Sequence, residues 1–517
     1  HNSLQKNEIN PDDFLVFISV KTASLQTMCK HIITYRDQCV KMPRPYFGRI
    51  HLEATKIEEL LDSYGARNNE QWHTFRKAVA SMKLFSNVVY ICLHIKHSIN
   101  SYSLLEIEDD FAAATNKVLS TFYDVVIDIA NTLLGCAEEC GITTFSHTEK
   151  RGFNTEPPVG KLNNNRKRRV VANPEKNIVY LVSKFLNLSE EIKHLEIFKI
   201  VEPEEYADCV PAIVSEEKTR WIENKFHNLQ SLYDTNISDS NLESVDEKLP
   251  ILRGHASIIF HLLEVATELC HYYERHLLGL IAAEEKQFNP PISQQQLLEI
   301  LFTYSLAFSE NYLIAFHGLS QQILRQSADE SSIELPIPNH RGFHIRPSTL
   351  VSRIVIHYGS KISMEFEKRR FDASKPLELF RINEKINSLK RRNITQKIAE
   401  SEFLKALPDF NEKNYRHILQ EVFLWLLEDN SIVMYESNFS FHDIKLEKGE
   451  SLLELVKRTI SRYLALGRID ITNDMRVIFH GDLRVLNDLK VLADNGYGED
   501  NYGNNILLPK ELSYLRR

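Results

Sequence analysis

Positive charge is not in excess in this chain. Against 62 Lys and Arg stand 70 Asp and Glu, a formal net charge of −8 at pH 7, which argues against broad binding to nucleic acid or to an acidic membrane surface. Cysteine is sparse: seven, an odd number spread over 517 residues, form neither a disulfide framework nor a CxxC metal pattern and fit a reducing cytoplasm. Cys136 and Cys140, one helical turn apart, are expected as buried thiols. No run approaches the roughly eighteen consecutive apolar residues of a membrane span, so no span is expected, and no signal peptide opens the chain. The chain starts at His1 without Met, and its true start is expected to be missing.

What is present is helix, then a mixed pattern. A length of 517 residues exceeds one core and predicts roughly two to four domains. Residues 1–145 read as a helical bundle: Val118, Phe122, Val125, Val126, Ile129 and Leu133 recur at three and four, with Gly135 as the expected stop, and Ala78 to Ile95 is similar. Residues 146–177 lose periodicity around Pro157, Pro158, Gly160 and three consecutive Asn, and read as a linker. The run Arg166 to Arg169 within it fits a solvated linker better than a phosphate or acidic-partner site. Residues 178–330 read as a second bundle, its clearest stripe being Ile258, Ile259, Leu262, Leu263, Ala266, Leu269, Tyr273 and Leu277.

That second bundle contains one metal-like spacing. Glu268 and His271 form a Glu-x-x-His pair, with Glu264 one turn earlier. A di-iron site needs a second such pair, whereas Glu310 and His317 are seven apart and His94 and His97 lack a suitably spaced carboxylate. No metal site is expected.

From residue 331 helix and strand mix, giving a predominantly helical α+β chain. Ile333, Leu335 and Ile337 alternate as a strand, placed at an edge because Pro336 and Pro338 cannot donate to a ladder. Leu350, Val351, Ile354, Val355 and Tyr358 share a helix face that Gly359 can close. Ile362, Met364 and Phe366 alternate, Lys368 to Arg370 marks a hairpin tip, and Ser374-Lys375-Pro376 starts a helix. Helices are drawn at Thr395 to Leu407, Tyr415 to Glu428 and Ser451 to Leu466, with a hairpin-like stretch from Ile432 to Leu446. Met475, Val477 and Phe479 form a last strand, Asp482 caps a helix carrying Leu486, Leu489 and Leu492, and the tail beyond Gly496 is expected to be irregular.

Between the first strand and its helix lies Asn-His-Arg-Gly-Phe-His-Ile-Arg-Pro, residues 339–347. A helix start leaves backbone N–H groups unpaired at the positive end of its dipole, a ready anion site. Gly342 lets the backbone turn tightly, and Pro347 fits the first helical turn. His344, with a free pKa near 6.5, keeps one unprotonated ring nitrogen at neutral pH to attack a phosphoryl group; these residues alone do not choose which. Arg346 offers a planar fork to phosphate oxygens. His340 and His357 are expected at the surface.

Asn339-x-x-Gly342-x-His344-x-Arg346-Pro347, preceded by a strand and followed by a helix, resembles the active-site signature of HPr, the histidine-containing phosphocarrier protein of the bacterial sugar phosphotransferase system. The resemblance covers about 331–387 and 475–495, within a domain running from 331 to 517, and makes 388–474 an insertion before the last strand. It implies an HPr-like open-faced β-sandwich that needs no cofactor or metal. It further implies a cytoplasmic phosphocarrier or regulator: an enzyme I-like donor passes a phosphoryl group to Nδ1 of His344, Arg346 stabilises it, and Gly342, Ile345, Pro347 and Ser348 hold it at the helix N-terminus. Ile345, Thr349, Leu377 and Phe380, ringed by Arg346 and Arg381, would dock the donor. Lys375, beside Ser374, stands where many members carry a regulatory serine. The helical part would read out the phosphorylation state or pass it to a downstream acceptor or regulated target. Competing readings are an interaction scaffold with an inactive module, and a ligand- or metal-binding helical protein.

Overall fold

Side-chain caps open several helices of the N-terminal half. Asn10 accepts the Asp12 N–H ahead of a helix that begins with Pro11, Asp110 accepts the Ala113 N–H, and Ser215 accepts the Lys218 N–H. The computed structural model describes residues 9–143, 168–199, 201–238, 240–282, 289–436 and 440–516. The chain divides into two compact units, residues 1–320 and 321–517. The first helical block and residues 178–320 of the second fall in the first unit, where His73–Ser98 packs on Arg44–Ser63, Phe111–Glu139 and Lys248–Tyr272.

Several boundaries differ from the sequence reading. The helix expected to stop at Gly135 continues to Glu139, because a glycine facing open space costs only a fraction of its stability; Cys140 and the left-handed Gly141 end it instead. Of the 146–177 linker, residues 146–167 lie outside the described residues, and Pro174 already opens the helix Pro174–Lys193. Arg166 and Lys167 of the basic run likewise lie outside them. Arg168 bonds Ser244, and Arg169 donates to the carbonyls of Thr235 and Asn236 at a helix C-terminus. The six described cysteines, Cys136 and Cys140 among them, are buried free thiols.

Apolar helix length also exceeds what unbroken runs indicate. His73–Ser98, Phe111–Glu139 and Lys248–Leu280 are by length and composition apolar enough to cross a membrane, and here 78%, 50% and 67% of their most apolar windows are buried inside the protein. Scattered polar residues break each run without lowering its mean hydropathy below that of a span.

Half-buried histidines give this unit a pH dependence. Burial pushes His94 and His261 down to about 4 and His276 to about 3, while it pushes Glu264, 2.6 Å from His261, up to about 7. The imidazole contribution is complete above 6.5 and is lost as pH falls toward 4. That of Glu264 runs oppositely, complete below 4.5 and lost as pH rises to about 7. The four lowered imidazoles, His255 being the fourth, together with the lowered carboxylates Asp62, Glu216 and Asp234, outweigh the raised carboxyls Glu223, Glu264, Glu268 and Glu310, so the melting temperature of this unit will fall by several degrees on acidification from pH 7 to 4.5. Calorimetry of the full chain checks this; a flat or rising midpoint would contradict the burial argument.

In the second unit the order is β1 (Glu330–Pro336), α1 (Ile345–Tyr358), β2 (Ser363–Phe366), β3 (Arg369–Asp372), α2 (Pro376–Glu400), α3 (Tyr415–Glu428), β4 (Ile432–Met434), α4 (Leu452–Ala465), β5 (Ile469–Ile471), β6 (Arg476–Asp482) and α5 (Leu483–Asp494). An antiparallel sheet runs β1-β6-β2-β3, with Leu335 opposite Val477 and Met364 opposite Phe479. Alternation puts Leu335, Met364, Phe366, Val477 and Phe479 on one buried face, against which α5 packs, with α1 on α2 and α5. The opposite face carries Glu334, Glu365 and His480, the last two joined at 3.0 Å. The edge position of β1, Gly359 as C-cap and Asp482 as N-cap agree with the sequence reading.

Between α2 and β6 the chain builds a core of its own. Ile394, Ile398, Val422, Phe423, Leu455, Ile460, Ile469 and Ile471 belong to it. Two readings are corrected here. α2 runs unbroken to Glu400, in place of a fresh helix at Thr395, because Ile386, Ile394 and Ile398 continue its buried stripe. Among the described residues of 432–446 no hairpin forms: β4 pairs with β5, where Ile432 and Ile471 share the core. The hairpin tip lies at Glu367 and Lys368, both with positive φ, so that Arg369 and Arg370 belong to β3.

Candidate functional site

His344 is the N-cap of α1, with extended backbone and a side chain 24% exposed. Its carbonyl accepts the Ser348 N–H, while the first-turn N–H groups of Ile345 and Arg346 have no acceptor within the helix. Pro347 is buried in that turn. Ser348, expected to face phosphate, is buried instead and donates to the carbonyl of Phe343, so it secures the loop rather than the ligand site.

The loop leading into His344 is wound tightly. Arg341 and Gly342 both have positive φ, 56° and 62°. A Cβ on Gly342 would meet Asn383 Oδ1, and Asn383 holds the Arg341 carbonyl through its Nδ2 at 2.8 Å. Gly342→Ala combines the left-handed penalty of about 1–2 kcal/mol with overpacking of about 1–3 kcal/mol. Its effect on the second unit will be a loss of about 2–5 kcal/mol in urea unfolding; an unchanged midpoint would show that Asn383 moves freely aside.

The insertion also reaches this loop. The Arg341 N–H donates to Asp470 Oδ2 at 2.8 Å, and Asp470 Oδ1 takes Lys390 Nζ at 2.9 Å, with both side chains almost fully buried. Tyr435 packs edge-on against the His340 ring, centroids 4.8 Å apart.

From the other side comes the tail. Glu499, 7% exposed, sets Oε2 2.8 Å from His344 Nε2, and its Oε1 lies 3.9 Å from Arg346 Nε. Arg346 Nε is otherwise buried without a hydrogen-bond partner. A carboxylate only accepts, so the neutral His344 tautomer that fits this contact donates through Nε2–H and carries its lone pair on Nδ1. The tail thereby chooses the nitrogen that the motif left open. Nothing in the sequence links residues 344 and 499, and Gly496-Tyr497-Gly498 ahead of Glu499 reads simply as a turn.

No protein-family model, curated protein or solved structure matches this chain. The site is therefore interpreted from its own geometry.

The remaining candidates separate clearly. Ile345 and Leu377 are 75% and 72% exposed, Phe380 43%, and Arg381 is exposed beside them, while Thr349 is half-buried and turns its hydroxyl back to the Ile345 carbonyl. Ser374 donates to Asp372 Oδ1, and Lys375 pairs with Asp372 and Glu378.

His340 and His357 are not surface residues. His357 is 1% exposed and stacks on Tyr514 at 3.8 Å, because it lies on the face of α1 that the C-terminal segment covers. His340 is half-buried 5.5 Å from the His344 ring, and burial holds its imidazole below the ordinary range despite the opposing pull of Glu499. Glu268 and His271 do not converge on a common point: Glu268 accepts from Asn87, and His271 lies 3.1 Å from Glu216. His317 bonds Ser189.

Proposed function

We propose that this chain is a phosphocarrier or phosphorylation-dependent regulator in which His344 accepts a phosphoryl group from an enzyme I-like donor in the cytoplasm. The observation that carries the reading is His344 at a helix N-terminus with its Nε2 engaged by Glu499. The order strand, helix, strand, strand, helix, strand, helix, interrupted between α2 and β6, supports an HPr-like module here.

In the proposed reaction the Nδ1 lone pair of His344 attacks phosphorus. A P–N bond forms while the bond from phosphorus to the donor atom breaks, its electron pair leaving with the donor. Positive charge grows on the ring and negative charge remains on the transferred oxygens. Glu499 meets the first through Nε2–H; Arg346 and the open N–H groups of α1 meet the second. Ile345, Leu377 and Phe380 form an apolar patch for the donor, with Arg381 at its rim. The downstream acceptor is a protein, and neither nucleic acid nor a membrane span enters the reading. The first unit is assigned the read-out.

The test is acid-labile, base-stable labelling of the full chain with phosphoenolpyruvate and enzyme I. Label on His344 is expected; no label on folded protein would end the carrier reading in favour of a binding scaffold. Glu499→Gln removes the charge that fixes the tautomer, and its labelling rate will fall about 10- to 100-fold, as for other groups that orient a functional imidazole. An unchanged rate would show that Glu499 plays no part.

A further inference from the structure

Three groups of metal-ligand type meet at the phosphoryl site itself. His340, His344 and Glu499 each bring one ligand atom within 4.8 Å of the others. We propose that these three residues bind a divalent transition-metal ion of the zinc class, and that the bound ion blocks phosphoryl acceptance at His344. The binding claim stands on its own geometry, whereas the blocking claim rests on the carrier reading above.

The donor set is chemically apt. Two imidazoles and one carboxylate, with a fourth position left to water, suit zinc, copper or nickel better than magnesium or calcium, which favour all-oxygen sites. Tetrahedral zinc with bonds of about 2.0–2.2 Å needs its ligand atoms about 3.3–3.5 Å apart, which side-chain rotation can bring about from the present spacing.

A second observation concerns His340. Its Nδ1 is buried and has no hydrogen-bond partner, although such groups are normally satisfied. Tyr435 meets the edge of the ring, and Gly503, where an added Cβ would run into it, leaves the space that the ring occupies. The chain thus positions an imidazole beside His344 and Glu499 and leaves one of its nitrogens idle.

Glu499 can serve both states with separate oxygens. Oε1 faces Arg346, 3.9 Å from Nε, which leaves Oε2 toward His344. Arg346 then acts as an outer partner of the carboxylate. A free anion is a poorer fit for this cluster, because the buried Glu499 charge faces the same space.

The blocking follows from the imidazole proton. A metal takes the Nε2 lone pair, so the single proton of neutral His344 moves to Nδ1. Nδ1 then has no lone pair to attack phosphorus. Metal and phosphoryl group exclude each other through one ring.

Equilibrium dialysis of the full chain against zinc is expected to give one tightly bound ion per chain, and cobalt in its place the absorption of a tetrahedral site. His340→Gln and Glu499→Gln, shown to fold by their melting temperatures, will each bind zinc at least about 10-fold more weakly. Zinc will suppress labelling of the wild type, reversibly with chelator, and will suppress His340→Gln far less at the same concentration. Absence of stoichiometric zinc, or wild-type affinity in both variants, overturns the site. Zinc that binds yet leaves labelling unchanged overturns the blocking. If zinc-free wild type takes no label, the carrier reading fails, and the metal site is decided by dialysis and cobalt absorption alone.

Discussion

Replacing His344 by alanine will reduce acid-labile phosphoryl labelling to background while leaving the fold intact. The substitution removes the nitrogen proposed to attack phosphorus. His340 lies 5.5 Å away by ring centroids and outside the N-cap position. Stability should fall by about 1–3 kcal/mol, because the substitution leaves the buried Glu499 carboxyl without its 2.8 Å partner, although the helix loses no side-chain cap bond. Arg346→Ala provides the graded comparison. A charge-assisted hydrogen bond contributes about 1.5–3 kcal/mol, which corresponds to roughly 10- to 100-fold in rate. Labelling that survives His344→Ala would place the acceptor elsewhere. Equal losses for the two variants would indicate a collapsed loop rather than a missing nucleophile, and thermal unfolding of both distinguishes these outcomes.

Asp470→Asn will destabilise the second unit by about 3–5 kcal/mol, the usual cost of leaving a buried charge without its partner. Asp470 and Lys390 are 3% and 0% exposed in their side chains and 2.9 Å apart. Asparagine keeps the shape and still accepts from Arg341, but it leaves Lys390 with an uncompensated charge in the interior. Urea unfolding measures the loss, and Lys390→Met combined with Asp470→Asn should recover most of it, because the pair is then replaced without an orphan. The consequence extends to the site. Asp470 Oδ2 holds the Arg341 N–H at 2.8 Å, next to a glycine with φ of 62°, so loosening β5 loosens the loop that presents His344. Labelling by Asp470→Asn is therefore expected to fall at temperatures below its unfolding transition. A stability within about 1 kcal/mol of wild type would mean that water reaches the pair.

The second-unit elements nearest the motif were legible because their determinants are local. Alternation at Ile333 and Leu335 and at Val477 and Phe479, the glycine after α1 and the aspartate before α5 each act within a few residues. Periodicity failed where a boundary depended on distant packing. α2 continues to Glu400 because the insertion core accepts Ile394 and Ile398, and β4 finds its partner in β5 because Ile432 and Ile471 share that core. His357 was misread for the same reason, since Tyr514, which buries it, lies far along the chain.

The sequence by itself determined the half of the site carried by nine consecutive residues: a histidine at a helix start, the glycine before it, and an arginine and a proline after it. Those roles follow from backbone conformation and first-turn geometry. Tertiary structure alone decided the other half. Glu499 arrives from a tail 155 positions away and Asp470 from 129 positions away, and no spacing rule connects such residues. A carboxylate in an irregular segment carries no mark of its partner until the fold buries it. Here that burial selects a nitrogen of His344, puts Glu499 beside Arg346, and brings His340 into the same cluster.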